Sequence, residues 1–284
     1  MTMHLRPYRS VLYIPGSKDR ALEKAQSLKL DAIIFDLEDA VSAKEKVNAR
    51  GKLAAALKAN QYGQSVKIVR INSLDTEWGV ADAESVAGME CDAVLLPKVE
   101  TTAQLDGLAA VTGDLPIWVM METPRAMLNA DAIAGHPKVA GMVMGTNDLA
   151  KDLGVRFRKD RLPLVTSLSL CVLAAKSHDV IIVDGVFNAF KDQEGLVFEC
   201  NQGRDLGFDG KTLIHPAQID VANSAFAPTD AEVDMARRQI AAFDAAEADG
   251  QGVAVVDGKI VENLHVVTAK SMIAKAEIIA ALSE

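Results

Sequence analysis

Eight short apolar runs, separated by Ala- and Leu-rich amphipathic segments, constrain the fold of this chain more than any other feature. They are VLYIP (11–15), DAIIFDLE (31–38), VKIVRIN (66–72), DAVLLPK (92–98), PIWVMME (116–122), VAGMVMG (139–145), VIIVDGV (180–186) and GKTLIHP (210–216). Short runs that are apolar at successive positions suit strands buried on both faces, as in a parallel sheet covered by helices. KVNARGKLAAALKA reads as one covering helix, with Val47, Leu53, Ala54, Ala56 and Leu57 at helical spacing. Eight strand-then-helix units in roughly 216 residues predict an α/β fold, a TIM (β/α)8 barrel over residues 1–228. A doubly wound open sheet shares the local pattern.

Beyond the eighth run, TDAEVDMARRQIAAFDAAEADGQG predicts a helix with Thr229 as its N-cap and glycines at 250 and 252 as its stop. The remaining residues read as a hairpin and a terminal helix. Residues 229–284 are therefore expected to form a small C-terminal appendage, suited to a lid or an oligomer contact.

Composition narrows the function. A net charge of −9 argues against a nucleic-acid partner. The longest apolar runs fall short of the roughly 20 residues that span a bilayer, so no membrane association is expected. The opening MTMHLRPYRS lacks the pattern of a secretory signal, which points to the cytoplasm. Cys91, Cys171 and Cys200 are dispersed and form no zinc or disulfide pattern.

In a parallel barrel the C-terminal strand ends share one face, and chemistry is found there. Here those ends carry Pro15-Gly16-Ser17, Glu38-Asp39, Arg70 and Asn72, Lys98, Glu122, Asn147-Asp148, Asp184 and His215. Glu122 and Asp148, 26 residues apart on successive units, can supply two oxygen ligands to Mg²⁺ and leave positions for water and substrate. Each could instead cap the helix that follows it. Arg70 ends an apolar strand and needs an anionic partner, either substrate or one of Asp36, Glu38 and Asp39. The Pro-Gly-Ser turn precedes Lys18, Arg20 and Lys24, a workable phosphate site, although the motif is weak and a plain turn with a solvated helix is the better reading of the sequence alone. His215 is the histidine placed closest to the polar face. No nucleophile elbow or cysteine nucleophile context appears.

Seven ordered motifs, PGS near residue 15, FDLEDAV, VRINSLDTEWG, LLPKVE, METPRA, GTNDLAKDLG and LGFDGKTLIHPAQI, resemble the citrate lyase β-subunit-like (HpcH/HpaI aldolase/citrate lyase) family nearly end to end. The resemblance implies a Mg²⁺ enzyme, with Mn²⁺ as substitute, that acts on malyl-CoA or a similar 3-hydroxyacyl-CoA by thioester hydrolysis or retro-Claisen cleavage. A citryl-CoA-cleaving subunit of a citrate lyase complex is the alternative. It further implies Glu122 and Asp148 on the metal and Arg70 on the substrate oxygens. Coenzyme A would lie at Tyr13, Lys18 and Lys24, and Asn147, Ile214 and His215 would border the ligand. A homotrimer or hexamer is implied, with a C-terminal lid carrying an acid/base aspartate. The aligned lid segment here is DGKIVE (257–262), which puts Glu262 in that aspartate's place and favours water activation over proton transfer to carbon. Asp257 is a second candidate base, although Asp-Gly is also an ordinary hairpin turn.

Overall fold

A computed structural model describes residues 6–59 and 61–283, which form two compact units, one spanning Tyr8–Phe226 and the other running from Ala227. The first is a closed parallel barrel: β1 (Ser10–Pro15), β2 (Ala32–Asp36), β3 (Val66–Arg70), β4 (Ala93–Leu96), β5 (Ile117–Met121), β6 (Val139–Met144), β7 (Ile181–Asp184) and β8 (Gly210–Leu213), with β8 pairing back to β1. Each of the eight expected runs contains one strand, or all of it but a terminal residue. Most runs outlast their strand by two or three residues, and these extra residues leave the hydrogen-bonded ladder to build the loops at the mouth.

Side chains alternate between the two faces of a strand, and here both alternating sets are buried. Val11, Ala32, Ile34, Val66, Ile68, Leu95, Trp118, Met120, Val143, Ile181 and Val183 pack together as the barrel interior. Their neighbours Leu12, Ile33, Phe35, Val69, Val94, Val119 and Ile182 join the larger layer between strands and helices. Trp118 fills the interior against Tyr8, ring centroids 5.3 Å apart, and the space beside its ring exists only because position 141 is glycine. Truncating a fully buried indole of this kind costs about 3–5 kcal/mol.

The helices of this unit are α1 (Asp19–Ala25), α2 (Lys46–Lys58), α3 (Gly79–Val86), α4 (Thr102–Thr112), α5 (Pro124–Leu128), α6 (Ala130–Ala134), α7 (Thr146–Leu153), α8 (Leu162–Ser177), α9 (Gln193–Leu206) and α10 (Ile219–Ala225). In α2 the packing face differs from the expected one. Lys46, Ala49, Leu53 and Leu57 are buried, whereas Val47 is exposed. The face is set by Lys46, whose amine donates to Leu37 O, Glu38 O and Asn72 Oδ1 at 3.1, 2.9 and 2.6 Å, turning Val47 outward.

The second unit begins with α11 (Asp230–Ala248), capped by Thr229 in a reciprocal box with Glu232. The hairpin β9 (Ala254–Val256) and β10 (Lys259–Val261) turns through Asp257 and Gly258, both at positive φ, before α12 (Asn263–Ser283). Phe243, Ala254, Val261 and Val266 form this unit's own small core. No helix among the described residues is long and apolar enough to cross a membrane.

Candidate active site

Strand parity assembles the site. Tyr13, Asp36, Arg70, Met120 and Glu122 continue the interior-facing positions past the apolar core to the C-terminal ends of β1, β2, β3 and β5. With Asp39, Asn147, Asp148, Asn188 and Ile214 they line a cavity of about 340 Å³ at the mouth of the barrel.

Arg70 resolves the choice of partner that the sequence left open. Asp36 and Arg70 are register partners, and Arg70 Nε and Nη2 donate to Asp36 Oδ1 and Oδ2 at 2.8 and 2.6 Å. Its Nη1 lies 2.7 Å from Glu38 Oε2 and 3.6 Å from Asp39 Oδ2, and the Tyr13 ring stacks on the guanidinium at 4.9 Å. Two buried carboxylates thus share one cation. Burial pushes the Glu38 carboxyl up to about 8, against the pull of Arg70. The Tyr13 hydroxyl is raised too, by burial and by the nearby carboxylates Asp36, Glu122 and Glu38, although Arg70 opposes the shift.

Glu122 is free of any capping duty, because Thr123 caps α5 by accepting the Ala126 N–H at 3.1 Å. Its carboxylate lies against Gly145, where a Cβ would come within 2.6 Å of Oε2, so glycine is needed at that approach. Asp148 stands in the first turn of α7, one unit further round the barrel. Lys98 links the two: its backbone N–H donates to Glu122 Oε1 at 2.7 Å and its ammonium to Asp148 Oδ2 at 2.9 Å. Burial raises the Glu122 carboxyl above its usual range even with these contacts. The Lys98 amine is raised by Asp148 and Glu122 despite partial burial.

These residues fit a divalent cation. An ammonium already occupies the place of a positive charge on Asp148, and the donors are hard oxygens suited to Mg²⁺. Among the described residues no group of three or more His, Cys, Asp and Glu side chains could hold a metal. Two carboxylates leave the remaining positions to water and ligand, which suits Mg²⁺, an ion that keeps much of its own shell.

The other expected site residues divide between the cavity and places away from it. Ile214 lines the cavity, and Asn147 does so while exchanging side-chain hydrogen bonds with Asn188 at 3.3 and 2.7 Å. His215 stands beside it but stacks on Phe190 and accepts the Ala217 N–H at 3.1 Å, so its side chain is engaged locally. Lys18, which precedes α1, and Lys24, on it, are both exposed and do not line the cavity. Lys18 reaches Glu45 at 3.3 Å. Asp184 belongs to the opposite parity and is buried behind the sheet with Lys211, Arg161 and Glu199. Burial alone would raise the Asp184 carboxyl, but Lys211 and Arg161 outweigh it and hold it low. In the second unit, Glu262 is exposed, and its backbone N–H donates to His265 Nδ1 at 3.0 Å. Asp257 is tied to Arg238 by two contacts of 2.9 Å. Asn188 was not expected in the site, and Lys98 was expected only as one of the polar strand ends, with no partner named. The run DAVLLPK ends on the lysine, but its reach to Glu122 depends on a backbone turn that sequence does not encode visibly.

A closed (β/α)8 barrel that gathers two carboxylates and an arginine at the C-terminal ends of its strands has the layout of a barrel enzyme, whose chemistry lies on that face. Within that class, the chain belongs to the HpcH/HpaI aldolase/citrate lyase family, whose sequence profile matches residues 9–216. It is 62% identical over 281 residues to a (3S)-malyl-CoA thioesterase of Cereibacter sphaeroides, covering 99% of each chain. It is 32% identical over 285 residues to the citrate lyase subunit beta of Escherichia coli K12, covering 96% of this chain and 94% of that one. Among solved structures, it resembles the protein CitE of Mycobacterium tuberculosis in complex with magnesium, acetoacetate and coenzyme A. The TM-score there is 0.82 at 29% identity, with 96% of this chain and 99% of that chain covered.

Proposed function

We propose that this protein is a Mg²⁺-dependent CoA-ester hydrolase that converts (3S)-malyl-CoA to malate and free CoA. The carrying observation is the convergence of Glu122, Asp148 and Arg70 on one cavity, in a chain similar over its whole length to a thioesterase of that substrate. A divalent ion held by Glu122 and Asp148, Mg²⁺ or Mn²⁺, supplies Lewis-acid polarisation and a template for the substrate's oxygens.

The chain's own groups do the rest. Arg70 Nη1 lies 2.7 Å from Glu38, but Glu38 Oε2 has no aligned hydrogen bond, so a substrate oxygen can take this guanidinium edge. There the positive charge stabilises the anion that develops as water adds to the thioester carbonyl. Glu262 accepts the proton of that water, the C–S bond breaks, and the proton passes to the departing thiolate. Tyr13 and Ile214 border the acyl end, with Asn147 and the neighbouring His215 beside it. Lys18 and Lys24, exposed before and on α1, meet the phosphates of coenzyme A. The active form is a homo-oligomer, a trimer or hexamer, which light scattering would establish, and the location is the cytoplasm.

Incubation of the purified protein and Mg²⁺ with (S)-malyl-CoA, with products separated by chromatography, tests the reading. Malate with free CoA is the expected outcome. Acetyl-CoA with glyoxylate would replace hydrolysis by retro-Claisen cleavage at the same site. No product from malyl-CoA, with turnover of citryl-CoA instead, would assign the chain to a citrate lyase complex.

A further inference from the structure

Lys98 is the first non-proline residue past β4, and its backbone is at φ +52°. A left-handed backbone is unfavourable for a residue with a Cβ, so something local must stabilise it. The Lys98 carbonyl accepts from Gln104 Nε2 at 3.3 Å, and Gln104 is itself fixed in the capping box of α4 with Thr101. The turn aims the Lys98 N–H at Glu122 and its ammonium at Asp148, so one residue grips both carboxylates.

The two grips differ in permanence. Glu122 is buried and its bond is to backbone, which cannot swing away without unmaking the loop. The Lys98 side chain is about half exposed at 48% and that of Asp148 is 35% exposed, so this pair can separate into water at small cost. The barrel's fully buried lysine–aspartate pair, Lys211 with Asp184, is 0% exposed on both sides and has no such freedom. Lys98 does not line the cavity, so its ammonium reaches Asp148 from outside the wall.

We propose that Lys98 is a built-in counter-cation for the divalent site. Its ammonium holds Asp148 in the ion-free state and is displaced when the metal binds, while its backbone N–H stays on Glu122 throughout. The inference rests on the reading of Glu122 and Asp148 as metal ligands. In an acidic cavity that also carries Asp36 and Asp39, an internal cation keeps the two ligands together without an ion. The consequence is competition, because the ammonium must be expelled from Asp148 and then remains near a doubly charged ion.

Mn²⁺ titrated into metal-free protein without substrate, with free Mn²⁺ followed by electron paramagnetic resonance, tests this. Lys98→Met is expected to bind Mn²⁺ about three- to ten-fold more tightly than the parent. Mg²⁺ is expected to raise its melting temperature more than the parent's, because the ion then relieves unneutralised carboxylates. A lysine with only a structural role would move affinity the other way. Lys98→Gln, which keeps a polar chain at a half-exposed position, carries the same expectation if the methionine variant folds poorly. Equal or weaker Mn²⁺ binding in both variants, with binding lost in Asp148→Asn, would overturn the role of Lys98 and leave the metal site standing. Mn²⁺ binding that ignores Asp148→Asn would overturn both.

Discussion

Asp36 and Arg70 face each other across β2 and β3 as direct register partners, and the ion pair between them is two-pronged, at 2.8 and 2.6 Å. This fixes the plane of the guanidinium and leaves Nη1 as the edge available to anything else. Glu38 reaches that edge at 2.7 Å as a second buried carboxylate on a cation already matched, so its negative charge is the one left unbalanced.

A pH dependence of stability follows from Glu38. Its carboxyl is raised to about 8 from an ordinary 4.5, chiefly by burial, so between those limits the folded chain keeps a proton that the unfolded chain has released. This contribution to stability declines as pH rises from about 4.5 to about 8 and levels off above. Melting curves of Glu38→Gln should lose that slope, so that the parent-minus-variant difference changes by up to a few kcal/mol across the window. A pH-independent difference would place the charge elsewhere.

Asp148→Asn removes a ligand charge from a partly exposed position. The Lys98 side chain it leaves behind is itself half exposed, so the fold should lose no more than about 1 kcal/mol. Turnover with saturating Mg²⁺ should fall roughly 100-fold or more, because both polarisation and template depend on the ion. Full turnover with normal melting would remove Asp148 from the site.

Asp184 separates structural from functional polarity. Arg161 and Lys211 both bond to it behind the sheet, at 2.7–2.8 and 3.1 Å, where none of the three meets solvent appreciably. Asp184→Asn leaves two buried cations short of a counter-charge, which costs about 3–5 kcal/mol in urea unfolding. Turnover per folded molecule should change little. A stability loss under about 1 kcal/mol would mean that the cluster relaxes into water.

The contrast between Asp184 and Asp36 shows how far the sequence was legible. The strands could be found because each is apolar on both faces, and the polar residues that end them could be named. For the same reason, sequence could not say which alternating set faces the barrel's interior: DAIIFD and VIIVD look alike, yet Asp36 enters the cavity and Asp184 turns away. Lys211, read within GKTLIHP, gave no sign of being fully buried, since the Asp184 and Glu199 carboxylates and the Gly185 carbonyl that make that burial tolerable lie elsewhere in the chain. Arg70 meets all three nearby acids, and the β2–β3 register gives the two-pronged contact to Asp36. Lys98 was visible as a residue but not as a link, because its reach depends on a left-handed backbone. The exposed Val47 records the converse case, where one buried lysine rotated a helix away from its apolar pattern.

Glu262 tests the hydrolytic reading most directly. It lies in the second unit just after β10, exposed and before the first turn of α12, with its backbone tied to His265 and its carboxylate at the end of a flexible side chain. Glu262→Gln preserves length and shape while removing the ability to accept a proton. If Glu262 takes the proton from water, kcat should fall roughly 100- to 10,000-fold, the usual contribution of a positioned base, while binding of a non-hydrolysable malyl-CoA analogue stays close to the parent's. Equal losses in binding and kcat would mean that the residue closes the site or orders the ligand without moving a proton. Glu262→Asp sharpens the distinction by restoring the shorter carboxylate expected of the carbon–carbon lyases. Acetyl-CoA and glyoxylate appearing with that variant alone would tie the choice between hydrolysis and cleavage to a single methylene.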